Sequence, residues 1–195
     1  MFRSFFAAFA VLMLTAAPAL AHTGAGSASG FAAGFAHPVL GLDHVLAMVA
    51  VGILAAQLGG RSLWLVPAAF VAMMAVGGLM GVSALGLPFV EIGIVGSIVV
   101  LGAVIAAGRQ LPVALAMALV GALALFHGHA HGTEMPVTAG GLEYGFGFMA
   151  ATTALHVAGI LSVVTLRAAA AHAAPLALRA GGGTIAVMGM ALFVS

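Results

Sequence analysis

Apolar residues run along this chain in blocks too long and too continuous to be the single faces of soluble helices, with glycine, proline and arginine punctuating the breaks. Crossing ~30 Å of hydrocarbon takes about 20 apolar helical residues, and about six blocks of that order follow residue 36. Spans are expected at 40–58, 63–82, 89–107, 113–126, 142–166 and 176–194, the last interrupted by Arg179 and by Gly181, Gly182 and Gly183. Small residues offer close helix contacts at Gly77, Gly78 and Gly81, at Gly93 with Ser97, and at Gly141 with Gly145. The pattern predicts an all-α membrane protein, a bundle of about six transmembrane helices after a cleaved signal peptide.

The signal peptide is read from the first block. Arg3 supplies a positive start, residues 5–16 an apolar stretch, and Pro18 with Ala19, Leu20 and Ala21 a small-residue cleavage site. Residues 1–21 are then removed, 22–36 form a short periplasmic segment and 37–195 the bundle; an uncleaved first helix is the alternative. Cleavage after Ala21 makes His22 the mature N-terminus, where amine and imidazole together form a chelate. Arg61, Arg109, Arg167 and Arg179 all fall on one side of the predicted spans. The positive-inside rule makes that side cytoplasmic, so the mature N-terminus faces the periplasm of a bacterial inner membrane.

Composition narrows the chemistry. Hydrophobic residues make up 64% of the chain and charged ones 5%, so its solvent is mostly lipid. Lysine and cysteine are absent, which excludes a Walker-type phosphate loop, disulfides and thiolate metal sites. A net charge of +1 and scattered arginines carry no nucleic-acid-binding patch. Eight histidines outnumber the carboxylates, in a chain where each polar group inside the bilayer costs free energy.

With the orientation set, nearly all the ionisable groups gather toward the outer face. His37, Asp43 and His44 come before or early in the first span, and Glu91 opens the third. His127, His129, His131 and Glu134 end the fourth, and Glu143 opens the fifth. Asp43 stands ~24 Å from the cytoplasmic edge at 1.5 Å per residue, inside the bilayer. His44 follows His37 by seven positions, which returns to nearly the same face of a continuous helix. A competing structural reading has His37 capping a helix that starts at Pro38, with Asp43 complementing the dipole. In the second cluster a helix brings His127 and His131 to one face, whereas an extended chain aligns His129 with both. His156 lies ~16 Å from the cytoplasmic side, near the midplane. It is either an inner station for a cation or proton or a neutral imidazole bonded to Thr152. Glu91 and Glu143 serve equally as dipole partners. Imidazoles with carboxylates suit nickel, cobalt or zinc, and no tightly bound cofactor is expected beside the transported ion.

The segment His37-Pro38-Val39-Leu40-Gly41-Leu42-Asp43-His44-Val45-Leu46-Ala47-Met48, with Phe126-His127-Gly128-His129-Ala130-His131-Gly132 downstream, resembles the HupE/UreJ family over essentially the whole mature chain. The resemblance implies a secondary nickel or cobalt permease linked to hydrogenase or urease maturation. It implies entry and selectivity roles for His37, Asp43 and His44, with His127 and His131 as partners. The competing class is an intramembrane hydrolase, using zinc held by histidines or a Ser97–His156 pair; Ser97 sits in Val95-Gly96-Ser97-Ile98, which departs from the rhomboid-type setting. A metal sensor or chaperone would need an extended outer domain, and only the short 23–36 stretch is available for one.

Overall fold

A computed structural model of the chain describes residues 30–135 and 140–194. Among the described residues the protein is all helical, in the order α1 (Gly30–Leu40), α2 (Leu42–Leu58), α3 (Ser62–Val82), α4 (Val90–Ala107), α5 (Val113–Thr133), α6 (Gly141–Ala169) and α7 (Ala174–Phe193). The expected signal peptide and His22 lie outside the described residues. The last five helices are each long and apolar enough to cross a membrane, and α1 with α2 makes a sixth span if its bent halves are counted together. Large apolar side chains such as Leu79, Leu142, Leu161 and Leu176 stand exposed around the outside. Surface of that kind belongs against lipid tails.

Three differences from the expected spans bear on function. The first span does not begin as one helix at the His-Pro pair. Pro38 lies near the end of α1 with His37 one residue before it, so the capping reading is overturned. The chain then bends by 81° into α2. Gly41 makes the bend in an extended conformation, donating its N–H to His37 O at 3.2 Å while its carbonyl accepts from Val45 at 2.9 Å. The turn therefore leaves neither of that residue's backbone groups unpaired, as the interior of a membrane requires. The seven-residue spacing of His37 and His44 consequently does not place them on one continuous helix face.

The fourth span runs through the histidines instead of ending before them, since α5 extends to Thr133. A seam against α3 carries it. A Cβ at Gly77, Gly81, Gly128 or Gly132 would strike the backbone of the facing helix, so these positions admit only glycine at this separation. Gly141 and Gly145, by contrast, do not form a helix contact: Gly141 meets Met135, and Gly145 has nothing within 4 Å. Finally, α7 passes unbroken through Gly181–Gly183. Arg179 is accommodated near its start by donating Nε to Ala106 O at 2.9 Å.

Helix α6 acts as the post for the bent pair. Its 29 residues span about 43 Å at 1.5 Å per residue, well beyond the ~30 Å hydrocarbon thickness. Gly34 of α1 seats against Tyr144 early in α6, and Gly52 of α2 against His156 farther along. One long helix thereby holds both sides of the Gly41 break, and α5 brings its histidines to the same place.

Candidate metal site

The site is built where α1, α2 and α5 meet. His37, His44 and His131 bring one ring nitrogen each within 4.8 Å of one another. The His37 and His131 ring centres are 4.6 Å apart, as are those of His44 and His131. Phe148 of α6 walls the group, its ring 4.1 Å from that of His131. His44 and His131 are buried, whereas His37 is partly open. Beside them lies a cavity of about 210 Å³, lined by His37, Asp43, His44, Glu91, His131 and Glu134 among others.

Asp43 orients the cluster. Its Oδ1 accepts from His44 Nδ1 at 2.7 Å and from the His44 backbone N–H at 2.9 Å. With the proton of a neutral His44 held at Nδ1, Nε2 carries the lone pair, which is how a carboxylate sets the tautomer of a metal-binding histidine. That Nε2 faces His131 Nε2 at 2.6 Å. Two bare nitrogens do not tolerate this approach; one shared proton or one cation satisfies both. Neighbouring ligands on an ion at about 2.0–2.1 Å sit roughly 2.9–3.4 Å apart, so a ring movement of a few tenths of an ångström admits a metal. Gly41 permits the arrangement, because a Cβ there would lie 2.9 Å from both Asp43 Oδ1 and His44 Nδ1.

The other candidates separate by position. His127 shares the inward face of α5 with His131, and its ring centre is 5.3 Å from that of His44. His129 points elsewhere: its Nε2 donates to Leu85 O at 2.7 Å, tying α5 to the α3–α4 connection. That connection holds Ala84 and Phe89 at positive φ, conformations costly for residues with a Cβ, and the bond helps to hold it. Glu91 and Glu134 line the cavity as exposed groups, so they belong to its rim. Glu143 is exposed at the start of α6 and does not line the cavity.

His156 lies deeper, buried with neither ring nitrogen partnered among the described residues. The expected bond from Thr152 does not form; the Thr152 hydroxyl turns to Met74 Sδ at 3.7 Å. Phe70 stands between the two levels, its ring centre 5.8 Å from His127 and 5.1 Å from His156.

Ser97 does not pair with His156. Its Oγ lies 2.9 Å from His127 Nε2 and donates its own proton to Ile94 O at 2.6 Å. The hydroxyl oxygen thus accepts a hydrogen bond from the imidazole N–H, the reverse of what a serine nucleophile needs from its base. Sequence reasoning missed Phe70, Phe148 and this Ser97–His127 contact. A signal existed for Phe148, which shares the buried stripe of α6 with Tyr144, Thr152 and His156. Ser97 is the one hydroxyl in α4.

The fold and site define a polytopic membrane protein whose helices bring three imidazoles and a carboxylate together beside a cavity. Its sequence matches the family described as HupE / UreJ protein over residues 10–192. It is 45% identical to Protein HupE of Rhizobium leguminosarum bv. viciae over 184 residues, covering 94% of this chain and 95% of that protein. The chain belongs to the HupE/UreJ family, a transporter-type family associated with nickel/cobalt transport and linked to the nickel handling of hydrogenase and urease. No solved structure matches it.

Proposed function

We propose that this protein is a secondary permease that takes divalent transition-metal ions, nickel or cobalt, inward from the periplasmic face without ATP. The observation that carries the reading is the convergence of His37, His44 and His131 beside the Asp43 carboxylate at the bottom of an acid-rimmed cavity. Borderline divalent ions favour imidazole, and buried histidines with bare nitrogens are costly unless a cation or proton uses them. Asp43, Glu91 and Glu134 attract the ion, and the three imidazoles replace part of its water shell. His127 and then His156, behind Phe70, give it further nitrogen donors on the way to the arginine-bearing end.

That end is taken as cytoplasmic on the positive-inside rule. A dication moving down an inward-negative potential gains about 4.6 kcal/mol per 100 mV, twice the value for a single charge. This supports accumulation by roughly a thousandfold or more without a second energy source. Delivery to hydrogenase or urease maturation follows from the family's associations. The test is flux: purified protein in liposomes should admit radioactive nickel when a potassium diffusion potential makes the lumen negative. Entry no faster than into protein-free liposomes would refute the permease reading.

A further inference from the structure

Ser97 is fully buried in α4, and a hydroxyl there has one proton and two lone pairs to place. Ile94 O can only accept, so at 2.6 Å it takes the Ser97 proton. The second contact of Oγ, 2.9 Å to His127 Nε2, then needs its hydrogen from the imidazole. A neutral imidazole carries a single N–H. The lone pair of His127 is therefore on Nδ1, which is buried without a partner among the described residues.

We propose that Ser97 is a positioning residue that holds His127 in the Nε2–H tautomer and so presents a bare Nδ1 to the ion as it leaves the outer cluster. His127 neighbours both levels, its ring centre 5.3 Å from that of His44 and 5.8 Å from that of Phe70. The device mirrors the one on His44 with the nitrogens exchanged. Asp43 accepts the hydrogen bond from Nδ1–H and leaves the lone pair on Nε2, whereas Ser97 accepts from Nε2–H and leaves the lone pair on Nδ1. The partners also differ in charge. A carboxylate raises the basicity of the imidazole it holds, and a hydroxyl does so much less. His44 is thus the stronger ligand, suited to capture, and His127 the weaker one, suited to passing the ion on. This relay role rests on the uptake reading; the tautomer assignment does not.

The experiment is solid-state nitrogen NMR on the full chain labelled with [15N]histidine, treated with chelator and held in lipid bilayers. The His127 signals are assigned by their loss in His127→Gln. Wild-type protein should show His127 protonated at Nε2 alone. Ser97→Ala should shift a sizeable fraction to the Nδ1–H form, and Ser97→Thr, which keeps the hydroxyl, should restore the wild-type signal.

In the liposome assay Ser97→Ala should lower the maximal nickel flux about tenfold, the low end for loss of a ligand's supporting hydrogen bond, with half-saturation changed less than about twofold. A His127 protonated at Nδ1 in the wild type overturns the proposal even if no variant folds, as does a tautomer unmoved by Ser97→Ala. A shifted tautomer with undiminished flux overturns the relay role. If the wild type itself moves no nickel, the uptake reading falls while the NMR result still decides the role of Ser97 at His127.

Discussion

The two ends of the bundle solve the same problem in opposite ways. Each must satisfy polar groups next to hydrocarbon, exposed arginines with a half-buried Gln57 at one end and buried histidines at the other. At the arginine end the backbone answers. Arg167 donates to Ala56 O at 3.0 Å and Arg179 to Ala106 O at 2.9 Å, placing cations on carbonyls at the C-terminal ends of α2 and α4. Gln57 likewise spends its amide on Ile105 O at 3.2 Å. Positive charge at a helix C-terminus is stabilising and satisfies carbonyls the helix cannot. These contacts suit arginine to a structural and topological part.

At the histidine end side chains answer one another, through Asp43 to His44 and His44 to His131. Among the described residues this leaves nitrogens without hydrogen-bond partners at Nδ1 of His127, His129 and His131 and at both positions of His156. Unmet buried polar atoms cost about 1–3 kcal/mol each. The contrast is one of density: among the described residues Gln57 Oε1 is the unpaired buried side-chain atom beside the arginines, whereas five such nitrogens fall on four histidines.

The largest effect should come from breaking the carboxylate that organises the histidine end. Asp43→Asn keeps the shape but loses the charge that offsets a dication and strengthens His44. Nickel flux should fall by about a hundredfold, the upper range for such supporting groups, with the protein still in the membrane. Radioactive nickel uptake normalised to protein amount measures this; flux within a few fold of wild type would remove Asp43 from the site.

A smaller effect should come from His129, on the opposite side of α5 from His127 and His131. His129→Ala removes the bond to Leu85 O and should cost about 1 kcal/mol of stability. A lowered thermal midpoint with uptake within about twofold of wild type is expected. A loss of uptake comparable to that of Asp43→Asn would place His129 among the ligands after all.

Arg179→Gln should do least. Its guanidinium sits at the far end on Ala106 O, so both uptake and midpoint should move less than in His129→Ala. A large loss of uptake in correctly inserted protein would end the contrast between the two ends.

Much of this was legible in the sequence. Long apolar blocks set the span count, and the arginines sorted the connections to one side, because both follow from the cost of polar groups in lipid. His37, Asp43 and His44 stood out as ionisable residues within an apolar run. The way they meet was not legible. An uninterrupted helix brings His37 and His44 together through periodicity, whereas the protein does so through the bend at Gly41, and α6 holds that bend only once the tertiary fold exists. The histidines of α5 posed a similar ambiguity between helix and extended chain. The glycine seam against α3 resolves it, separating His129 from His127 and His131. Pairwise partners such as Ser97 for His127 depend on which helices become neighbours, and local pattern does not carry that information.

The central claim is that the imidazoles of His37, His44 and His131 bind the transported ion together. X-ray absorption at the nickel edge, on bilayer-embedded protein loaded with one equivalent of nickel, tests it most directly. The account predicts multiple scattering from the three imidazoles, reduced by one ring in each of His37→Ala, His44→Ala and His131→Ala and unchanged in His129→Ala. An oxygen-only shell in the wild type, or an imidazole count indifferent to all three replacements, would contradict it.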